Sequence, residues 1–377
     1  MVLGTRLDVR RIAALFRAHR EPTMVLALLN DEQQMLREMM SSLAGSVSAG
    51  NPRDIGEIDR GKGWGALADA GMLGLRVRDA SGAPTGSGVD AMIVAAALGG
   101  ALAPLPYIGS AVLATELLAL AGAPPDLLQR AAEGAERHAV LLTPDLSGIA
   151  TAADLGQAIA FDCWGAGHAL ALSDGGPAPR LVRVPLGDGA DRGPAADLTR
   201  DLARFSTAPA DAEEIGRPLE AADLDRWRAL ALTVISADAV GAMRAALDGV
   251  VAYSKERVAY GTLIGSFQAI QHMCADALVH CEAASACVSY AAWAADEAAP
   301  DEALLAAHTA KAYTATASLD VAETVMQVYG GIGHTWEHVA HLYARRVLLD
   351  RAVLGDAAQS LDRVADLRLG RPGPEES

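Results

Sequence analysis

Hydrophobic positions recur at helical spacing in the first third of the chain and at strand-like spacing in its middle. Over about residues 30–133, apolar residues three and four positions apart predict short helices, and Asn30 with Gln33 three residues later forms a capping-box pattern. Residues 138–218 contain short apolar runs separated by turn clusters, such as the Ser-Asp-Gly-Gly at 173–176. This pattern is typical of a small β domain.

The rest of the chain is predicted to be a bundle of helices. Helix-forming stretches cover residues 224–257, 267–297, 302–329, 336–349 and 356–367. Long apolar helices with short connections favour antiparallel packing in a bundle. We therefore expect a mainly α protein with a small β domain. The expected parts are an N-terminal extension at 1–23, a helical domain at 24–136, a short β-sandwich or barrel-like domain at 137–219, and a helical bundle at 220–377.

Composition and charge agree with this division and exclude some functions. Hydrophobic residues make up 51% of the 377 residues but aromatics only 4%, and alanine dominates, which favours helices over sheets. The net charge of −16 counts against a nucleic-acid partner, since such proteins present a basic surface. The four cysteines form no Cys-x-x-Cys pair, so reduced thiols and a cytoplasmic location are expected.

The N-terminal extension is basic and amphipathic, and it lacks the compact apolar core of a secretory signal. A natural start at Met24 is the first interpretation, a surface helix the second, and a transit peptide the third. No uninterrupted apolar run reaches the roughly 18 residues that a membrane helix needs, so no membrane span is expected.

Two sets of histidines lie at helical spacing, and neither favours a metal. The sets are His334, His338 and His341 with Glu337, and His272, Asp276 and His280. Trp336 interrupts the first set, and the second is more typical of a solvated or cofactor-facing edge of a helix. We therefore predict no metal site.

Two segments of the bundle resemble those of a known family. The stretch 253–272, Tyr-Ser-Lys-Glu-Arg-Val-Ala-Tyr-Gly followed by Phe-Gln-Ala-Ile-Gln-His, is similar to the Arg–x–x–aromatic–Gly … Phe-Gln-x-x-Gln-His segment of acyl-CoA dehydrogenases. The stretch 327–333, Gln-Val-Tyr-Gly-Gly-Ile-Gly, resembles that family's Gln–x–x–Gly-Gly–x–Gly segment. Taken alone, these glycines would only end a helix. The resemblance spans about residues 29–367 and implies a helical domain, a small β domain and a four-helix bundle.

The resemblance also implies FAD and a reaction. Arg257 and Gln268 match the residues that hold the pyrophosphate and adenosine part of FAD across a subunit boundary, and Gln327, Gly330 and Gly331 match the backbone that the dinucleotide approaches. Arginine suits a diphosphate and glycine permits close approach. The implied reaction is α,β-dehydrogenation of an acyl-CoA thioester, with the electrons leaving through an electron-transfer acceptor. The Trp-Glu-His at 336–338 is similar to an actinobacterial branch that acts on steroid or other bulky acyl-CoA esters.

The chain departs from the family where proton abstraction needs a carboxylate. Leu354 and Ala231 stand at the family's two base positions, and Asp356 is the nearest carboxylate and the candidate catalytic residue. In the β domain, only residues 142–144 resemble the family segment that touches the flavin ring, and the resemblance is weak.

The FAD-binding motifs match the family, whereas the base positions do not, and three hypotheses remain. The first is a FAD-dependent acyl-CoA dehydrogenase within a homo- or hetero-oligomer. The second is a catalytically silent partner that completes the FAD site of a related, base-containing subunit. The third, an unrelated helical bundle, is disfavoured by the paired motifs.

Overall fold

The first part of the structure is a layer of short helices. The computed structural model describes residues 29–174, 178–187, 190–191, 193, 195–205 and 211–370, so the predicted extension 1–23 lies outside the described residues. The helices are α1 (Asp31–Gly45), α2 (Arg60–Asp69), α3 (Gly88–Gly100), a π-helix (Tyr107–Ala114) that continues into α4 (Thr115–Leu120), and α5 (Pro125–Ala132), with a 3₁₀ turn at Pro52–Glu57.

Helix starts in this layer follow local capping chemistry. The Asn30 side chain accepts a hydrogen bond from the Gln33 backbone, and the Gln33 side chain accepts one from the Asn30 backbone, as the sequence pattern predicts. Ser87 and Asp90 form the same reciprocal pair at the start of α3. Capping fixes where α3 begins, and its apolar side chains are then buried on most sides.

The middle part is a single seven-stranded mixed sheet with the strand order β5-β6-β2-β1-β3-β4-β7. The strands are β1 (His138–Leu142), β2 (Ile159–Phe161), β3 (His168–Leu172), β4 (Leu181–Pro185), β5 (Ala190–Asp191), β6 (Leu202–Phe205) and β7 (Glu213–Ile215). The pairing of β1 with β3 is parallel, with His138 opposite His168, and the other pairings are antiparallel. One face of β1 packs on the helical core through Val140 and Leu142, and the other buries a separate small cluster around Leu141.

The last part is the predicted bundle. Its helices are α6 (Ala221–Ser254), α7 (Gln268–Glu297), α8 (Pro300–Tyr329), α9 (Ala340–Ala352) and α10 (Ala357–Leu369), with a small hairpin of β8 (Val258–Ala259) and β9 (Thr262–Leu263) between α6 and α7. Together with the helical first part and the small sheet, this confirms the predicted fold class. The exact domain limits stay predictions.

Helix α6 is the central element of the molecule. By length and composition alone it could cross a membrane, but 78% of its most apolar window is buried inside the protein, as in the core helix of a bundle. Its crossing with α3 depends on glycine: a Cβ on Gly99 would lie 2.3 Å from the Asp238 carbonyl, and one on Gly241 would lie 1.9 Å from the Ala96 carbonyl. The two backbones therefore touch where no side chain intervenes.

A buried ion network joins the three parts. Arg200, which precedes β6, donates to both oxygens of Asp162 at 2.9 Å and lies 3.1 Å from Asp238 of α6. Arg346 of α9 donates to Asp238 at 2.7 and 3.0 Å. The backbone of Gly109 in the π-helix donates to Asp162 at 2.9 Å. All four charged side chains are at most 4% exposed.

Arg346→Met tests how much this network contributes to the free energy of unfolding. The variant leaves buried carboxylates without their main counter-charge, so we expect a loss of about 3–5 kcal/mol in the free energy of unfolding, measured by urea titration. Arg53→Met is the control, because Arg53 and Glu337 form an exposed pair, with side chains 65% and 59% exposed. Equal urea midpoints for the two variants would contradict a structural role for the network.

Candidate cofactor site and base positions

The predicted FAD-binding residues gather at one end of the bundle. Arg257 follows α6, Gln268 begins α7, and Gln327 lies in the last turn of α8. The rings of Tyr253 and Tyr329, 4.9 Å apart, place the ends of α6 and α8 side by side. Gly330 then ends α8 with a φ of +63°, a conformation that suits glycine.

The chemistry of this end fits an anion. Arg257, Gln268, Gln327 and Gly331 are exposed, and Gly330 is half-buried. Helix α7 begins without a side-chain cap, so no side chain neutralises the positive end of its dipole. Guanidinium, amide and helix N-terminus form a suitable donor set for the diphosphate of FAD. Arg257 and Gln268 both lie on the surface of the chain.

Apolar side chains surround the same end. Among the large hydrophobic residues exposed there, Tyr260 at the tip of the β8–β9 hairpin is 98% exposed and Trp336 is 54% exposed. The others are Val258, Leu263, Phe267 and Ile332. From its apolar length we expect α6 to be covered by its own bundle and by a partner bundle, and 78% of its most apolar window is buried within its own chain. The exposed apolar side chains at this end of the bundle form an apolar rim.

The two base positions lie in a sealed interior. Leu354 is 1% exposed and Ala231 is fully buried, and both belong to the main hydrophobic core. The Leu354 backbone N–H donates to the Leu146 carbonyl at 2.7 Å, which ties the segment after α9 to the loop after β1. Both leucines have positive φ, at +61° and +64°. Neither side chain can take a proton, and both positions are buried within the chain.

Lys311 of α8 is hydrogen-bonded to the segment just before Leu354, and sequence reasoning missed this contact. Its ammonium donates to the Asp350 carbonyl and, at 2.8 Å, to the Val353 carbonyl, while the side chain is 1% exposed. Burial lowers the pKa of Lys311 to about 7, although Asp350 acts in the opposite direction. The signal was visible as one of only three lysines, placed in the middle of an apolar helix.

Asp356 is placed as a helix cap. Its side chain accepts a hydrogen bond from the Gln359 backbone at 2.9 Å, and the Gln359 side chain accepts one from the Asp356 backbone. The residue is exposed, whereas Leu354 two positions earlier is buried. The geometry thus gives Asp356 a local task at the start of α10. A catalytic role for it stays a prediction.

Residues 142–144, which weakly resemble the family's flavin-ring segment, make hydrogen bonds within their own turn. The Thr143 hydroxyl donates to Asp145 at 2.6 Å, and the Thr143 backbone N–H donates to the Gly148 carbonyl at 3.0 Å. The hydroxyl therefore stabilises the turn that carries Leu146.

A separate cavity of about 470 Å³ lies between the first helical layer and the bundle. Its charged lining includes Arg76, Arg78 and Glu116, but neither base position contributes to it. Arg76 is 3% exposed and paired with Glu116 at 2.9 Å and Asp296 at 3.0 Å. These pairs make the lining a set of internal ion pairs rather than part of the predicted site.

The histidine sets singled out from the sequence do not converge. His338 accepts a hydrogen bond from the Ala340 backbone, and His341 packs its ring against Trp336. His280 lies beside Tyr313. In the part of the chain that the structure describes, neither set brings three ligand atoms together.

Comparisons with known proteins agree with the fold and the two bundle segments. The model of the acyl-CoA dehydrogenase C-terminal domain matches residues 231–367. The acyl-CoA dehydrogenase IpdE2 of Mycolicibacterium smegmatis is 31% identical over 341 residues, which cover 89% of this chain and 98% of that protein. The chain belongs to the acyl-CoA dehydrogenase family, as the sequence motifs predict.

One further relative in sequence and one solved structure are also similar to this chain. The acyl-CoA dehydrogenase FadE34 of Mycobacterium tuberculosis is 30% identical over 365 residues, and the chain spans about half of its length (49%). The solved structure of a variant of the Tcur3481-Tcur3483 steroid ACAD superposes with a TM-score of 0.74 at 25% identity, covering 90% of this chain and 98% of that one.

Leu354→Glu tests whether the base position is sealed. A carboxyl placed in this apolar interior should have a raised pKa, so its cost should grow as the pH rises and the group ionises. We expect a loss of about 2 kcal/mol or more in unfolding free energy at pH 8, and a smaller loss at pH 5. Leu354→Met, of similar volume, is the control. Equal losses at both pH values would mean that solvent reaches the position.

Proposed function

We propose that this chain takes part in FAD-dependent α,β-dehydrogenation of an acyl-CoA thioester as a partner subunit that supplies no base. Its surface would complete the FAD site of a related, base-containing subunit. The observation that supports this most directly is the contrast between the two halves of the site. The groups that suit the FAD diphosphate are exposed, whereas Leu354 and Ala231 are apolar and buried.

The apolar rim supports an assembly through the same surface. Fully exposed aromatic side chains such as Tyr260 are costly in water, and large exposed apolar patches mark interaction sites. In the proposed complex, the rim packs on the sister subunit while Arg257 reaches the cofactor between them. This arrangement makes one surface serve both assembly and cofactor retention.

Each residue has a definite task in this proposal. Arg257 would hold the diphosphate, and the α7 N-terminus would add partial positive charge. Gly330 and Gly331 would let the backbone approach the dinucleotide. The cofactor held there would supply a hydride acceptor for the β-carbon of the substrate, with an electron-transfer partner as the final acceptor of the electrons. Removal of the α-proton falls to the sister subunit, because Leu354 and Ala231 cannot hold a proton.

The named relatives support a bulky substrate and a two-component enzyme. The Tcur3481-Tcur3483 structure is named as a steroid ACAD of two proteins. We infer that this chain works in the cytoplasm on a steroid-type or similarly bulky acyl-CoA ester. The rival function, an enzyme active alone, would use Asp356 as the base. The accessibility of that carboxylate is the one observation in its favour.

The chain purified alone and saturated with FAD should turn over acyl-CoA and steroid-CoA thioesters very slowly. A missing positioned base costs on the order of 10²–10⁴ in rate. Addition of a base-containing sister subunit should restore turnover, measured with an artificial electron acceptor. Robust turnover of the lone chain that vanishes in Asp356→Asn would reject the proposal and make Asp356 the catalytic residue.

Arg257→Ala should weaken FAD retention in the complex by about 10- to 100-fold, because a charge-assisted contact to the diphosphate is lost. The measurement is FAD stoichiometry after exhaustive dialysis of the assembled protein. Arg244→Ala is the matched control, since Arg244 is also an exposed arginine of the bundle but pairs with Glu282. Flavin content that is the same in both variants would remove Arg257 from the site.

A further inference from the structure

Three potential metal ligands converge at the start of two interior strands of the sheet. They are Glu136, between α5 and β1, His138 in β1, and His168 opposite it in β3. Glu136 Oε1 lies 3.4 Å from His138 Nε2 and 3.9 Å from His168 Nδ1, and all three ligand atoms fall within 4.8 Å of one another. Ligands of a tetrahedral zinc ion at about 2.0–2.1 Å lie about 3.3 Å apart. The distance from Glu136 to His138 is already close to this value, and the distance from Glu136 to His168 would have to shorten.

The guanidinium of Arg183 in β4 holds the ligand atoms in this orientation. It donates to Glu136 at 2.6 Å, to His168 Nδ1 at 3.0 Å and to His138 Nε2 at 3.3 Å. Arginine only donates, so His138 Nε2 and His168 Nδ1 must each present a lone pair to the guanidinium. Their other nitrogens then carry the protons. This is the tautomer in which both histidines can bind a metal ion.

The two histidines differ in how deeply they are buried. The His138 side chain is 1% exposed, whereas that of His168 is 34% exposed and can close the remaining gap. Solvent can therefore reach the cluster from the side of His168.

Arg183 has a second acidic partner to which it can turn. Its Nη1 lies 3.5 Å from Glu213 in the adjacent strand β7, and the Glu213 side chain is 70% exposed. Moving the guanidinium toward Glu213 vacates the centre of the three ligands without leaving the arginine unpaired. Glu136 meanwhile keeps its 2.9 Å contact with Arg130 through the other oxygen, which fixes the carboxylate.

We propose that Glu136, His138 and His168 form a binding site for a divalent transition metal ion such as Zn²⁺, which exchanges with the Arg183 guanidinium. Two imidazole nitrogens and one carboxylate oxygen are a ligand set that zinc uses in proteins, with a fourth position left for water. The ion would clip the end of the first helical layer to strands β1 and β3. The site is independent of the FAD surface and of the proposed function.

Zn²⁺ affinity tests the proposal directly, because the Arg183 guanidinium competes with the metal ion for the same three ligands. Untagged, EDTA-treated protein is titrated with Zn²⁺ against a chromophoric chelator, and Co²⁺ absorption spectra report on the ligands. The wild type should bind one equivalent. Arg183→Gln should bind Zn²⁺ about tenfold tighter or more, since a charged competitor with hydrogen bonds to all three ligands is removed. His168→Ala should lose the site.

His334→Ala, which removes an exposed histidine of the bundle, is the control and should bind as the wild type does. The proposal is overturned if wild type and Arg183→Gln bind Zn²⁺ no better than His168→Ala. It is also overturned if Arg183→Gln binds no tighter than the wild type, because the guanidinium would then not occupy the metal position. Circular dichroism of each variant confirms that the sheet is intact.

Discussion

The paired charges of Arg200 and Arg346 with Asp162 and Asp238 set the relation between the sheet, the first helical layer and the bundle. Buried ions are costly unless each is paired and hydrogen-bonded, so the network tolerates little displacement of any of the three parts. Asp350 adjoins it, and burial beside Asp238 raises its pKa well above the usual range. The fold is thus fixed at its centre by electrostatics and around it by alanine-rich packing.

This rigid centre separates the two halves of the candidate site. The donors for a diphosphate lie at the end of the bundle, beyond the network, where the chain is open to solvent. The base positions lie inside, where Leu354 is bonded to Leu146 and supported by Lys311. The exposed donors and the buried base positions therefore belong to different regions of the chain.

Sequence patterns predicted the helices and the small sheet because capping and hydrophobic period are local properties. The Asn30 box and the long apolar helices show this, as do the motifs at 253–272 and 327–333. The pattern could not reveal contacts between distant segments. Arg200 and Arg346 lie in different parts of the chain, and the Glu136, His138 and His168 cluster depends on the parallel register of β1 with β3. Helical spacing pointed instead to the two sets of histidines in the bundle, whose side chains do not converge in the fold.

The path of the loop at Leu354 is set by backbone contacts rather than by its side chain. Its backbone is set by hydrogen bonds of main-chain groups, from the Leu354 N–H to Leu146 and from Lys311 to the Val353 carbonyl. A non-glycine residue at positive φ costs on the order of 1–3 kcal/mol and persists only where its surroundings impose it. These contacts involve no atom of the Leu354 side chain. The backbone path of the loop therefore does not depend on a hydrogen bond from the side chain of residue 354, and that side chain contributes through its burial in the core instead.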